Sequence, residues 1–402
     1  MKYIGVCRLR PPAKAFDAFG ACHVAFSNAR TPAGLRVPSQ FMPHLPDAAT
    51  FRALVDGSQR GLTPSLLRGL LAACALPYGA AVAARNRLYD VGWLPSEEAD
   101  VPVICIGNLT LGGTGKTPLV AWLARLLTGM HATPAIISRG YAASNETTSD
   151  EAAELAMLLP GIPHVANRDR AAGVRTAIEK HKARVAVLDD GFQHRRLRRA
   201  LDLIAIDATD PFGCGHLFPR GLLREPVAGL RRAGGCILTR ATSVDHSRRA
   251  TIREHVQQIT AGRPLVWAEA SHTARGLRCA DSSTRPLTDL ASRRVAIASG
   301  IGNPAAFRRT VEAAGGEVVA ELIYPDHHPY PQRDREQIGQ AAKQTSAELI
   351  VTTVKDLVKI QQMSLHDTPV VAVEIAIDIL EGEPQLEALI RDAVSHLPPA
   401  HS

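Results

Sequence analysis

The sequence predicts an α/β protein with a mostly parallel sheet and a second, smaller α/β domain. Short apolar runs alternate with helical stretches in two series, and such alternation is typical of a parallel sheet covered by helices. A polar stretch at about 241–292 separates the two series. The candidate strands of the first series are Val103–Ile106, Ala135–Ser138, Val185–Leu188, Leu203–Ile206 and Cys236–Leu238, and those of the second are Val295–Ser299, Val318–Ile323, Leu349–Thr353 and Val370–Ile375.

The order of these segments predicts five regions along the 402 residues, a length that suits two domains. We expect the smaller domain to contribute to a functional cleft. The regions are an extension of unknown role at 1–60, a helical region at 61–98, the larger parallel-sheet domain at 99–245, an irregular connection at 246–292 and the smaller α/β domain at 293–402.

The composition is that of a soluble protein with a packed core, at 46% hydrophobic and 21% charged residues. A net charge of +7 suits an anionic substrate or lipid surface, although a coding preference for arginine gives the same value. The seven cysteines show no Cys-x-x-Cys spacing, which argues against a structural zinc site and a disulfide framework. The first residues lack the order of a cleaved signal peptide, so we expect a cytoplasmic location.

The region 61–98 begins with Thr63-Pro64, a typical helix start. Its sixteen uncharged residues, Gly69 to Ala84, are flanked by arginines and interrupted by Pro77. A spanning helix requires about 20 apolar residues, so the segment is predicted to be too short to cross a membrane. One interpretation is an interfacial amphipathic helix resting on an anionic membrane. The other is a core helix that packs on the domain.

A glycine-rich loop follows the first strand and precedes a helix that starts near Pro118. This order is that of a P-loop, in which glycines let backbone N–H groups approach phosphate oxygens at a helix N-terminus. The loop therefore predicts a P-loop NTPase-type domain that binds ATP. The lysine would reach the β- and γ-phosphates and the final threonine would ligate Mg²⁺. The predicted ATP-binding residues are Thr110, Leu111, Gly112, Gly113, Thr114, Gly115, Lys116 and Thr117, with Thr110 where glycine is usual.

A second strand, Val185–Leu188, ends in Asp189 and Asp190. An apolar strand that ends in carboxylates places them at the carboxyl edge of the sheet, where the phosphate loop also opens. We expect one of the two to hold Mg²⁺, directly or through water. The alternative is a pair of acids that only marks the turn after the strand.

The rarer segment Asp189-Asp190-Gly191-Phe192-Gln193-His194, together with Gly107-Asn108 and the glycine loop, resembles the tetraacyldisaccharide 4'-kinase family of lipid A biosynthesis. The similarity runs from about 61 to 380 in consistent order and leaves out residues 1–60. Further matching stretches are Ser138-Arg139-Gly140-Tyr141, Asp150-Glu151, Leu223-Arg224-Glu225-Pro226, Gly300-Ile301-Gly302-Asn303-Pro304 and Pro325-Asp326-His327-His328.

The resemblance implies transfer of the ATP γ-phosphate to the 4'-hydroxyl of an acylated disaccharide 1-phosphate, at the cytoplasmic face of the inner membrane. It implies that Asp150 is the base that accepts the hydroxyl proton and that His327 holds or tunes it. Arg170 and Arg224 match positions expected to meet phosphate, and Gln193 is expected to help orient the metal site. Lys355 and Asp356 receive no catalytic role, because Val354 precedes them where the family has glutamate.

Three other interpretations of the sequence are weaker. A guanine-specific GTPase would carry an Asn-Lys-x-Asp signature, which the sequence lacks. The run His194-Arg195-Arg196-Leu197-Arg198-Arg199 suggests a nucleic-acid partner, but it lacks interleaved aromatics, so we expect none. Neither is an obligate protein partner expected. The adjacent histidines His327 and His328 form a poor metal pair, since neighbouring side chains on a strand point apart.

Overall fold

The computed structural model describes residues 48–140 and 150–395. Residue contacts divide the chain into two compact units, 1–51 and 52–402, and the features below belong to the second unit, apart from the first residues of the first helix. Most of the predicted extension, residues 1–47, lies outside the described residues.

The described residues form one 13-stranded sheet covered by helices. The strands are β1 Val103–Gly107, β2 Pro134–Ser138, β3 His164–Ala166, β4 Val185–Asp189, β5 Leu201–Asp207, β6 Gly235–Thr239, β7 Val266–Arg278, β8 Thr284–Pro286, β9 Arg294–Ser299, β10 Glu317–Ile323, β11 Leu349–Thr353, β12 Ser364–Leu365 and β13 Thr368–Glu381. The helices are α1 Ala48–Val55, α2 Leu62–Asp90, α3 Lys116–Gly129, α4 Asp150–Leu158, α5 Arg170–His181, α6 His246–Ile259, α7 Pro304–Ala313, α8 Gln332–Gln344, α9 Val354–Ile360 and α10 Glu383–Ala393.

The central strands are buried along their whole length, as parallel strands covered on both faces must be. Leu119 and Leu123 of α3 pack in the hydrophobic cluster on one face of the sheet, and Val174 of α5 packs in the cluster on the other. The predicted α/β class with a parallel-dominated sheet is confirmed.

The strand order is β10-β9-β11-β13-β7-β6-β5-β1-β4-β2-β3. All neighbouring pairs along this order are parallel except β13 and β7, which are antiparallel. The strands β1 to β6 form the first parallel set, and β9 to β11 form the second. The long strand β7 extends beyond the first set at the edge where β1 and β4 end, and β13 extends beyond the second set at the edge where β11 ends. Because they pair with each other, the carboxyl edges of both sets face the same region. Ligands of parallel α/β sheets bind at such edges.

The predicted irregular connection at 246–292 is wrong, because this stretch contains α6, β7 and β8. The strands of the predicted smaller domain are present, but they continue the same sheet as the larger domain. Residues 52–402 accordingly form a single compact unit rather than two.

The helix α2 lies within the predicted helical region 61–98 and runs for 29 residues through Pro77 without a break. By length and composition it is long and apolar enough to cross a membrane, which corrects the expectation that it is too short. None of its residues is fully buried, so it is not a core helix. One face lies half-buried against the domain, where Tyr78 Oη donates to the carbonyl of Arg224 at 2.7 Å.

Candidate active site

The loop between β1 and α3 starts in an extended conformation. Leu111 N donates to Leu222 O and Arg224 N donates to Leu109 O, both at 2.7 Å, and Thr110 bridges Leu223. Thr110 therefore pairs like a short strand residue, with ordinary negative φ, and the position has no need of the glycine that is usual there.

The glycines that follow turn the chain into α3. Gly115 caps the helix at φ 75°, in the left-handed region that favours glycine. A Cβ at Gly115 would lie 2.3 Å from Nε2 of His272, a residue of β7. Burial, reinforced by the charge of Arg240, lowers the pKa of His272 to about 4, so this imidazole is neutral near pH 7.

The carbonyl groups of the loop are held by the end of β6. Thr239 Oγ1 donates to Thr114 O at 2.9 Å, and Arg240 Nη2 donates to Gly113 O at 3.1 Å. These two hydrogen bonds fix the carbonyl groups of the loop to the carboxyl end of β6.

The loop lysine makes its contacts within the carboxyl edge of the sheet. Lys116 Nζ donates to Asn108 Oδ1 at 3.0 Å and to Asp190 Oδ1 at 2.8 Å. Arg224 Nη1 donates to both Asp190 oxygens, at 2.9 and 2.8 Å. Predicted loop, acid and arginine residues are thus brought together, with Asp190 between two cations.

The two adjacent acids differ in their protonation. Burial opposes ionisation of Asp190, but Lys116 and Arg224 outweigh it and hold the pKa of Asp190 well below its usual range. Burial raises the pKa of Asp189 to about 7, opposed by Lys116 and reinforced by Glu151. Asp189 is only 5% exposed, so it is a buried carboxylate that a bound cation would stabilise.

The residues at this edge fit a magnesium ion. Thr117, Asp189 and Asp190 offer hydroxyl and carboxylate oxygens, the ligands that Mg²⁺ prefers, and the ion usually takes few protein ligands together with substrate phosphates. No group of three or more His, Cys, Asp or Glu side chains suited to a metal occurs in the described residues, which is compatible with such a site.

Gln193 supports the loop and does not face the acids. Its Nε2 donates to Asn108 O and to Glu225 Oε1, both at 2.9 Å, and its Oε1 lies 3.5 Å from Arg224 Nη1. Glu225 is fully buried and also accepts from Asn86 of α2 at 3.2 Å and from Arg232 at 2.7 Å. The buried Glu225 therefore links helix α2 to the residues around the loop.

The candidate base lies at the start of α4. Asp150 Oδ2 is 3.2 Å from Nδ1 of His327, which has φ 62° and a side chain that is 57% exposed. Lys355 Nζ lies 3.3 Å from Nε2 of the same imidazole. The structure thus brings together two residues that are 177 positions apart in the sequence.

Arg170 is 3% exposed at the first turn of α5. Its Nη1 donates to Asn167 O at 2.8 Å, while its buried Nε has no hydrogen-bond partner in the described residues. Burial lowers the pKa of Arg170, and the charges of Asp189 and Asp190 oppose this effect. The guanidinium of Arg170 therefore lies close enough to the acid pair for their charges to interact.

The histidine and arginine runs have structural partners. His328 Nε2 bonds Asp334 Oδ2 at 2.5 Å, so His327 and His328 point to different partners.

Within the basic run the arginines form ion pairs inside the molecule: Arg195 with Asp90, Arg196 with Glu97, Arg198 with Glu98 and Arg199 with Asp202.

Several residues around this site had no assigned role in the sequence, among them Lys355, which contacts His327. Asn108 precedes the predicted loop and Glu225 follows Arg224, so their positions in the sequence could have indicated that they belong to the site. Asp356 stands three residues after Thr353, the spacing of a helix cap. His272 lies in the stretch taken to be irregular, and nothing in its local sequence marks it.

A P-loop whose lysine contacts an acid-tipped strand, with a carboxylate–histidine pair at the start of α4, defines a nucleotide-dependent phosphotransferase of the kinase class. The family model of tetraacyldisaccharide-1-P 4'-kinase matches residues 67–395, and the chain belongs to this family.

Curated relatives and a solved structure agree with this family. Tetraacyldisaccharide 4'-kinase of Anaeromyxobacter sp. (strain K) is 38% identical over 343 residues, covering 80% of this chain and 89% of that protein. The enzyme of Syntrophus aciditrophicus (strain SB) is 39% identical over 332 residues, covering 76% and 87%. The crystal structure of LpxK from Aquifex aeolicus in complex with ATP has a TM-score of 0.65 and 30% identity, covering 82% of this chain and 99% of that one.

Proposed function

We propose that this chain transfers the γ-phosphate of ATP to the 4'-hydroxyl of a tetraacyldisaccharide 1-phosphate, giving lipid IVA and ADP. The observation that carries the proposal is the Asp150–His327 pair at the carboxyl edges of the two strand sets, 3.2 Å apart. A kinase needs a base for the acceptor hydroxyl there, beside a P-loop that holds the donor.

Asp150 accepts the proton of the 4'-hydroxyl as its oxygen attacks the γ-phosphorus. The bond from that phosphorus to the bridging oxygen then breaks, and ADP leaves. His327 orients the carboxylate through its Nδ1 contact. No covalent enzyme intermediate is required, because the nucleophile is the acceptor hydroxyl.

The cationic residues stabilise the transferring phosphoryl group. Lys116 reaches the β- and γ-phosphates when ATP replaces part of its contact with Asp190, and Arg224 contacts both oxygens of the same carboxylate. Arg170 supplies positive charge close to the acid pair. Such groups act where charge develops in the transition state, and removing one donor of this kind costs about 10²–10³-fold in kcat.

Mg²⁺ would be held by Thr117, Asp189 and Asp190 together with phosphate oxygens. When bound, the ion neutralises phosphate charge. The raised pKa of the buried Asp189 supports this assignment, since a carboxylate in that environment is stabilised in its ionised form by a cation. Gln193 holds the adjacent loop and orients the site indirectly through Asn108 and Glu225.

The lipid acceptor and the helix α2 support a location at the cytoplasmic face of the inner membrane. Leu62, Leu66 and Leu70 are 78, 67 and 62% exposed, and their spacing of four residues places them on one helix face. Trp93, just after the helix, is 79% exposed. An apolar helix face followed by an aromatic residue is typical of a segment that enters the membrane interface.

Incubation of the purified protein with labelled ATP, Mg²⁺ and tetraacyldisaccharide 1-phosphate is expected to yield a bis-phosphorylated lipid. Lipid IVA, whose 4'-position already carries phosphate, is the matched control and should accept no label. Equal labelling of the two lipids, or transfer no greater than without enzyme, would show that the proposed reaction is not catalysed.

The variant Leu66→Glu/Leu70→Glu is expected to bind vesicles of anionic phospholipid about 100-fold or more weakly. Burial of each leucine contributes about 1.5–3 kcal/mol, and a charge in its place opposes insertion. Sedimentation with vesicles measures the partition. Leu380→Glu, at another exposed leucine (49%) in β13, should bind like the wild type. Equal loss in both variants would mean that α2 is not the membrane-binding element.

A further inference from the structure

A buried lysine of α9 lies beside the candidate base. Lys359 Nζ is 3.5 Å from Asp150 Oδ2 and 3.4 Å from Asp356 Oδ1, and its side chain is only 10% exposed. The ammonium group forms no hydrogen bond with the described residues, although it is buried, and it lies 5.5 Å from the centre of the Tyr330 ring. A buried charge is costly unless it is paired, and these two carboxylates are the groups that compensate the ammonium charge.

The partner carboxylate is fixed by the ends of two strands. Asp356 is fully buried, and its Oδ2 accepts from Gly300 N at 3.0 Å and from Thr353 Oγ1 at 2.7 Å. Thr353 in turn caps α9 by accepting from Asp356 N at 3.2 Å. Both hydrogen bonds to the Asp356 carboxylate are accepted by its Oδ2, whereas its Oδ1 lies 3.4 Å from Lys359 Nζ.

Both contacts to the base fall on the same oxygen. His327 Nδ1 at 3.2 Å and Lys359 Nζ at 3.5 Å approach Asp150 Oδ2, and no hydrogen bond reaches Oδ1 from the described residues. A carboxylate that is held by one oxygen presents the other to the acceptor hydroxyl. Because α4 belongs to the first strand set and α9 follows β11 of the second, the contact joins the two sets at the base.

We propose that Lys359, held by Asp356, is a positioning residue that orients Asp150 for proton transfer. It acts through Asp150 and does not touch the substrate. This inference rests on the proposed function, in which Asp150 is the base.

The test is a double-mutant cycle between Lys359→Met and Asp150→Asn, measured as kcat for the lipid with both substrates saturating. Lys359→Met alone is expected to lower kcat about tenfold or more, with KM for ATP within about twofold of wild type. In the Asp150→Asn background the same change should lower kcat less than about twofold, because the group it orients no longer takes a proton. Lys359→Arg should restore most of the activity.

The controls separate this inference from its alternatives. Lys343→Met removes an exposed lysine of α8 and should leave kcat unchanged. Lys359→Met with unchanged kcat, or with the same loss in both backgrounds, would overturn the proposal, since an equal loss means that Lys359 acts independently of Asp150. If Lys359→Met fails to fold, the cycle is measured on Lys359→Met/Asp356→Asn, which leaves neither partner of that buried pair charged alone. A wild-type protein without lipid kinase activity would instead refute the proposed function itself.

Discussion

Replacing Asp150 with asparagine is expected to lower kcat for lipid phosphorylation by about 10²–10⁴-fold. The amide has nearly the same size as the carboxylate but cannot accept the hydroxyl proton. The affinity for ATP should remain unchanged, because Asp150 contacts His327 and Lys359 rather than the phosphate loop. Steady-state kinetics with the lipid and a separate measurement of the ATP dissociation constant test both statements.

The neighbouring residue supplies the matched control for this variant. Glu151 is an exposed carboxylate on the same turn of α4, and Glu151→Gln should retain kcat within a few-fold. Comparable activity in Asp150→Asn and the wild type would remove Asp150 as the base. Comparable losses in both variants would point to the charge of the helix start rather than to proton transfer.

Replacing Gly115 with alanine is expected to weaken ATP binding by about 100-fold or more and to lower the free energy of unfolding by about 1–3 kcal/mol. Two causes act together. An alanine at φ 75° is strained, and its Cβ would lie 2.3 Å from His272 Nε2. The loop must then shift, which misplaces the N–H groups that bind phosphate.

The chain offers a control at the opposite end of the same helix. Gly129 has open space around its Cβ position and no positive φ, so Gly129→Ala should bind ATP normally. The double variant Gly115→Ala/His272→Ala removes the steric contact but not the backbone strain, and it should recover part of the affinity. Calorimetric titration with ATP and thermal unfolding measure the two effects, and normal ATP binding by Gly115→Ala would contradict the account of the loop.

Most of the strands that the sequence predicted have buried, continuous apolar runs, such as β1 and β4. Their composition is dictated by helices on both faces, so local sequence is sufficient. By contrast, β7 was missed because its outer half pairs only with β13 and β8 and carries polar residues such as His272 and Arg275. A strand of this kind shows neither a continuous apolar run nor a clean alternation.

Part of the site was predictable from the sequence for the same reason. The loop, Lys116 and the acids at 189–190 lie within or beside single strands, so local sequence patterns predict them. The supporting contacts depend on pairs that are far apart in sequence, such as Asn86 with Glu225 and Lys359 with Asp150. No local pattern predicts such pairs, because each arises only when the sheet is complete. The apolar segment of α2 was predicted to be too short to cross a membrane because Pro77 was taken as an interruption, and the helix continues through that residue.

The antiparallel contact between β7 and β13 also bears on the order in which the chain folds during synthesis. All the strands of the nucleotide half, up to residue 278, leave the ribosome about ninety residues before β13 begins at Thr368. Until then the outer edge of β7 has no strand beside it apart from the short β8, and such an edge is open to wrong pairing. The polar residues of β7, which made the strand hard to predict from the sequence, keep that edge soluble until β13 is synthesised.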